Sequence, residues 1–274
     1  MLSLKRYWNN CTFKKKLILV FLPLTLIPLL SLTLLASWMF SNQIKRTIDN
    51  QMINTLHLVN RHLDTYLGEL TRLSVLPYYN EKILDIMQET GPVRNADFTL
   101  IKDLLSQAIR NPREDLQSVF IYRRDGQVFS SSIYNANINY DYPFRQSAWY
   151  RKAMEAKGRV VFTGKLNDSR IINRPQPAFS VARAIKIYNG PVLGVIIIDV
   201  NFTGLESIFA DVNLGDQSNI VVLDENGGIV YSKNGNYLDD LPRIDPAVTA
   251  GQIVKGSEDN LIVHVTDSAL TGWK

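Results

Sequence analysis

Between Leu17 and Phe40 the chain runs for twenty-four residues without one ionisable side chain, directly after Lys14, Lys15 and Lys16. At about 1.5 Å rise per residue such a run spans roughly 36 Å as a helix, enough to cross a hydrocarbon core of about 30 Å with some tilt. The run is therefore expected to be an uncleaved transmembrane anchor, and the rest of the chain takes its address from it. Pro23 and Pro28 each remove a backbone donor, a loss that membrane helices tolerate. A secretory signal peptide is the rival reading. Its apolar core is usually about 7 to 15 residues long and ends at a small-residue cleavage site. Ala36-Ser37-Trp38-Met39-Phe40 offers no such site.

Basic residues near the run set its direction. Lys5, Arg6, Lys14, Lys15 and Lys16 precede it and only Lys45 and Arg46 closely follow, so residues 1–16 are expected in the cytoplasm and 41–274 outside the cell membrane. Residues 1 to 46 hold seven of the thirty basic residues and no acidic ones, leaving 23 basic against 26 acidic beyond them. The high isoelectric point thus belongs to the anchor, and the external part lacks the basic surplus that nucleic acid demands. Cys11 is the one cysteine, on the cytoplasmic side, so the external part can hold no internal disulfide. An unstapled ectodomain suits a bacterium.

Beyond the anchor, Ile44, Ile48, Met52, Leu56, Val59, Leu63, Leu67, Leu70 and Leu73 recur at steps of three and four. This spacing predicts an amphipathic stalk helix over 41–77, ending at or before Pro77. Its charge pattern is too irregular to specify a coiled coil, although a homodimer is the expected assembly. Helices are expected near Glu81–Glu89 and Ala96–Arg110, separated by Gly91-Pro92 and closed by Asn111-Pro112. A hairpin follows at Ser118–Tyr122 and Gln127–Ser130 around Asp125-Gly126, and a second at Ile220–Leu223 and Gly228–Tyr231 around Asn226-Gly227. Gly126 and Gly227, Val119 and Ile220, and Val128 and Ile229 all stand 101 residues apart, which suggests two related modules in tandem. Between them read a helix at Trp149–Ala156, strands at Arg159–Phe162, Ala178–Ile185 and Leu193–Val200, and a helix at Thr203–Asp211. The strands after Gly228 and around Leu261–Val265 should complete a smaller sheet. The fold class is α+β: a transmembrane helix, a long stalk helix, then modules over 78–205 and 206–274 with antiparallel sheets.

Several stretches in this order resemble the double Cache (PAS-like) sensor domains of bacterial transmembrane receptors, and most closely those of YesM-type sensor histidine kinases. They are the basic start and anchor, Leu63-Asp64-Thr65-Tyr66-Leu67, Val119-Phe120-Ile121-Tyr122 with Asp125-Gly126, Trp149-Tyr150-Arg151-Lys152-Ala153, and Phe179-Ser180-Val181-Ala182-Arg183. Leu193 to Val200, Val222 to Gly227 and Thr271-Gly272-Trp273-Lys274 complete the set. The resemblance implies a membrane-distal ligand-binding module and an incomplete membrane-proximal one. It also implies an output half beyond Lys274: a second membrane helix, a HAMP linker and a two-component histidine kinase. A chemotaxis receptor with the same outer domain is the alternative, and a membrane-tethered enzyme or adhesin a minor one.

Residue chemistry favours recognition over catalysis. His57, His62 and His264 are not placed as a metal set, and no Gly-x-Ser-x-Gly or phosphate loop occurs. Asp239-Asp240 and Glu258-Asp259 read as solvated turns. No cofactor, metal or catalytic residue is expected, and whether the whole protein is an enzyme is left to its output half. In the resembled family the distal module holds a small molecule between its long strands and the loop with the Trp-Tyr pair. Trp149 and Tyr150 can offer flat faces to an apolar or sugar ring, or instead plug a core. Arg145 suits a carboxylate as a two-pronged donor, or is a solvated loop residue. Asp199 ends an apolar run, and either caps the next element or faces a cavity where it receives an ammonium or hydroxyl. Arg183 completes the candidate set. Amino-acid-binding Cache members carry an arginine two residues before the Trp, a tyrosine in the following loop and an Asp at the place of Asp199. Arg145 stands four before Trp149, and Phe162-Thr163-Gly164 replaces the tyrosine, which argues against an α-amino acid. The partners expected are the bilayer and a solute or solute-loaded binding protein.

Overall fold

The structure, a computed structural model, describes residues 13–110, 113–133, 138–166, 169–172, 177–212, 218–233, 252–255 and 260–274. Cys11, Asn111-Pro112 and the carboxylate pairs at 239–240 and 258–259 lie outside them. The chain divides into two compact units, 1–54 and 55–274.

The described part of the first unit is helical. Helix α1 (Phe13–Leu73) enters it with Pro23 and Pro28 inside, and every side chain from Phe21 to Phe40 is exposed. Thr25 and Thr33 donate their hydroxyls to the carbonyls of Phe21 and Leu29 at 3.0 and 2.7 Å. Local bonds of this kind let polar residues sit in an apolar run without an outside partner. Among the described residues this is one helix long and apolar enough to cross a membrane. The anchor over 17–40 continues into the stalk as one helix, which ends at Leu73, before Pro77 as expected. A 3₁₀ turn, Leu76–Tyr79, follows with Pro77 in its first turn.

In the second unit, α1 buries Val59, Leu63, Leu67 and Leu70 along one stripe. Helix α2 (Glu81–Gln88) begins where the Asn80 side chain accepts from the Lys82 amide, and buries Ile83, Ile86 and Met87. Helix α3 (Asn95–Arg110) buries Ile101, Leu105 and Ile109. These stripes pack on a five-stranded sheet made of β1 (Leu116–Arg123), β2 (Val128–Ser132), β3 (Val160–Thr163), β4 (Phe179–Lys186) and β5 (Val192–Val200). Its order is β2-β1-β5-β4-β3, every neighbour antiparallel. Because side chains alternate along a strand, the sheet has two unlike faces. Val119, Ile121, Val181, Ile196 and Ile198 join the helices. Phe120, Tyr122, Ala182, Val195 and Ile197 form a second core with helix α4 (Ala148–Glu155). A sheet buried on both sides gives strands without visible alternation, and β1 is buried at all eight positions.

After β5 come helix α5 (Thr203–Ala210), the hairpin of β6 (Val221–Leu223) and β7 (Ile229–Ser232), and the hairpin of β8 (Gln252–Lys255) and β9 (Asn260–Val263). The single smaller sheet expected here is two separate two-stranded ladders among the described residues. The terminal segment ties elements together. Lys274 exchanges both backbone bonds with Leu223, at 3.0 and 2.7 Å. Trp273 is buried with its ring edge-on to Phe162 and Phe179, centroids 6.0 and 5.3 Å away. Asp64 on α1 accepts from the Ser268 hydroxyl and the Ala269 amide, and Asn60 donates to the Asp267 carbonyl.

Candidate functional site

On the face away from the long helices, the three central strands line up in rows. Register sets Ser118, Asp199 and Ser180 side by side, then Phe120, Ile197 and Ala182, then Tyr122, Val195 and Ala184. The first row is polar and wholly buried. A carboxylate there must be met by donors, because an unpaired charge in low dielectric is costly. Asp199 has them. Ser118 donates to one oxygen at 2.5 Å, and Ser180 and Arg170 donate to the other at 2.7 and 2.8 Å. Arg170 arrives from the segment before β4, where its carbonyl accepts from the Asn139 amide and Ile171 bridges to Ile138.

Aromatic rings surround this charge pair. The Arg170 guanidinium carbon lies 5.4 Å from the Phe120 ring and 5.3 Å from the Trp149 ring, distances at which the ring quadrupoles attract a cation. Tyr122 packs against Phe144 and Trp149, centroids 4.5 and 5.5 Å away, and Tyr150 stands edge-on to both Phe144 and Trp149. Trp149 is 1% exposed, yet its indole N–H has no hydrogen-bond partner among the described residues. Such a buried donor is uncommon in a finished core.

The structure brings three of the five expected residues together: Trp149, Tyr150 and Asp199. Asp199 faces inward and takes hydroxyls and a guanidinium, while Asn201, just before the N-cap residue of the next helix, accepts from the Thr203 amide at 2.8 Å. Arg145 is exposed at the rim of this aromatic cluster, over the Phe144 ring, and donates one guanidinium N–H to the Arg124 carbonyl at 2.7 Å on the β1–β2 turn. Arg183 alternates with Ala182, which puts it on the opposite face with Val181 and Ile185. Burial there pulls its pKa down. Sequence reasoning missed Arg170, which has no apolar pattern around it. Ser118 and Ser180 were visible as hydroxyls inside otherwise apolar strands.

Two other places concentrate polar groups. A cleft of about 120 Å³ lies between the α4–β3 edge and the β6–β7 turn, lined by Lys152, Thr163, Lys165, Asp224, Glu225 and Trp273. Lys152 and Glu225 close it as an ion pair, and a side chain at Gly164 would strike Asp224. At the foot of β1, Asp115 accepts from the Tyr66 hydroxyl at 2.7 Å and from both arms of Arg113. Burial disfavours the Asp115 carboxylate, but the Arg113 and Tyr66 donors outweigh it and hold its carboxyl below the usual range. Burial first, and Asp115 next, push the Tyr66 phenol up. This cluster joins α1 to the start of β1.

The chain is similar in structure to the ligand-binding domain of the Pseudomonas fluorescens chemoreceptor CtaA in complex with L-leucine. That likeness has a TM-score of 0.60 and 17% identity, covering 85% of this chain and 94% of that one. It is also similar to the Campylobacter jejuni chemoreceptor Tlp3 domain with L-valine, at TM-score 0.53, 17% identity and coverages of 74% and 77%. A third likeness is the Pseudomonas aeruginosa chemoreceptor PctC domain with GABA, at TM-score 0.52, 18% identity and coverages of 76% and 88%. At such identities the likeness establishes the fold. Among curated proteins none matches the sequence. The Cache domain family model matches residues 40–274, and the chain belongs to the Cache domain family.

Proposed function

We propose that this chain is the extracytoplasmic sensing region of a bacterial membrane receptor, anchored by residues 17–40 with its amino terminus in the cytoplasm. A solute, or a solute-loaded binding protein, docks on the module formed by 78–205, over the sheet face that carries Trp149. The module formed by 206–274 and helix α1 pass the resulting change toward the membrane, in a homodimer. A ligand shifts such an equilibrium only by its differential affinity for the two states. One observation carries the reading: a buried polar row and an aromatic cluster share one sheet face, with the Trp149 donor unmatched. By motif resemblance the output is a YesM-type histidine kinase, and a sugar is the first ligand class to try. The similar solved structures are chemoreceptor domains, which favours chemotaxis as the second reading.

The test is a thermal-shift panel of sugars, amino acids and organic acids on the full chain in nanodiscs. A saturating ligand at about a hundred times its Kd stabilises by roughly 2.7 kcal/mol. Trp149→Ala should weaken that ligand at least about tenfold. A ligand whose effect survives the substitution intact refutes this site.

A further inference from the structure

We infer that Arg170 is a specificity-determining residue: its guanidinium fills a cation subsite built by Asp199, Phe120 and Trp149, so the ligand of this face carries no cationic head. The inference rests on the reading that this face is the ligand site, and it names the ligand's class.

The subsite has the parts that recognise an organic cation. It has a carboxylate held in place by two serine hydroxyls, at 2.5 and 2.7 Å, and aromatic faces over the positive charge at 5.3 and 5.4 Å. These groups come from β1, β4, β5 and α4, so their meeting is a product of the fold and not of one local turn. Arg170 enters from a fifth segment and is itself wholly buried. An ammonium or guanidinium ligand has to expel Arg170 before it reaches Asp199, exchanging one buried cation for another at little net gain. A ligand without positive charge leaves the pair closed. For such a ligand the Trp149 N–H, unmatched among the described residues, is donor only and asks for an oxygen acceptor. A neutral polyol or an organic acid supplies that acceptor; an amine does not.

The probe is methylguanidinium, applied to the full chain in nanodiscs as wild type and as Arg170→Ala. The wild-type melting temperature should move no more with about 10 mM methylguanidinium than with sodium chloride at equal ionic strength. The variant should show a saturating rise, with affinity at least about tenfold above wild type, and the rise should disappear in Arg170→Ala with Asp199→Asn. The variant's rise shows that the groups around Arg170 hold a free cation, and the flat wild-type response shows that Arg170 keeps one out. Equal binding by wild type and variant overturns the inference, and so does a folded variant that takes no cation. Should Arg170→Ala not fold alone, refolding with methylguanidinium decides. Recovery beyond the sodium chloride control supports the inference, and no recovery overturns it. No natural ligand enters this test, so its outcome stands apart from that of the ligand panel with Trp149→Ala.

Discussion

Trp273→Ala tests whether the terminal segment is a structural tie between the five-stranded sheet and the β6–β7 hairpin. The ring is 2% exposed and meets Phe162 on β3 and Phe179 on β4 edge-on. Its neighbour Lys274 is paired through both backbone groups with Leu223 on β6. Truncating a buried Trp to Ala costs about 3–5 kcal/mol; within that, each edge-to-face pair accounts for roughly 0.5–1.5 kcal/mol beyond area burial. For a unit of this size one kcal/mol lowers the melting temperature by about 2–4 °C, so a fall of roughly 6–20 °C is expected. Urea denaturation should give the free energy. Hydrogen exchange should show where it is lost: amides of β6 and of 267–274 should open together, while the central β1, β4 and β5 amides stay protected. A loss below about 1 kcal/mol would refute the packing argument. Faster exchange confined to 267–274 would refute the tie, since the β6 bonds would then hold without the indole.

The remaining predictions concern backbone space and charge. A methyl at Gly194 would lie 2.3 Å from the Tyr122 carbonyl oxygen and 3.1 Å from the Arg123 Cα, both backbone. Gly194→Ala should therefore separate β5 from β1 and cost at least about 1–3 kcal/mol in a denaturant melt. Gly68, in helix α1, has nothing within 4 Å of such a methyl, so Gly68→Ala should stabilise by about 0.4–1 kcal/mol. A Gly194→Ala protein as stable as wild type would count against the β1–β5 register. The Arg123 guanidinium, helped by the Gln127 and Gly91 amides and opposed by slight burial, lowers the Asp125 carboxyl to about 2. A depressed carboxyl stabilises above its unfolded value near 3.8 and loses that contribution as pH falls through about 2. The stability gap between wild type and Asp125→Asn should be constant above about pH 5 and shrink progressively from there down to pH 2. A gap that does not change with pH would show that charge is not its source.

How much of this was legible in the sequence depended on whether local signals agreed. The two hairpins were readable because each turn needs a left-handed residue and supplies one, Gly126 at φ +111° and Gly227 at φ +80°. Each also has an aspartate accepting from the turn's own amides, Asp125 from Gln127 and Asp224 from Asn226 and Gly228. The buried strands β4 and β5 were readable from apolar content, although that content cannot say which face a residue takes. Arg183 shows the consequence: one residue from Ala182, it stands on the other side of the sheet from Trp149. Arg145 was open between a carboxylate donor and a solvated loop residue, and it is exposed. Its nearness to Trp149 in sequence said nothing about the Arg124 carbonyl, which lies 21 residues away and holds it.

Asp199 was suspect because it ends an apolar run, but its partner could come only from the fold, since Arg170 lies 29 residues away across no repeating pattern. The pair's energetics bear on why both residues are there. Asp199→Asn takes the Asp199 charge away from the buried Arg170 guanidinium, so it should cost about 3–5 kcal/mol. Replacing both, as Arg170→Met with Asp199→Asn, removes the charges while keeping a group for the Ser118 and Ser180 hydroxyls. It should return to within about 1.5 kcal/mol of wild type, because desolvating the two ions offsets most of their attraction. Chemical denaturation of the three proteins supplies the comparison. If the double variant recovers, stability does not account for an ion pair at the centre of an aromatic face, and a role in choosing the ligand does. If it stays as unstable as Asp199→Asn alone, the pair is a stabilising strut, and the chemical-class argument built on Arg170 loses its motive.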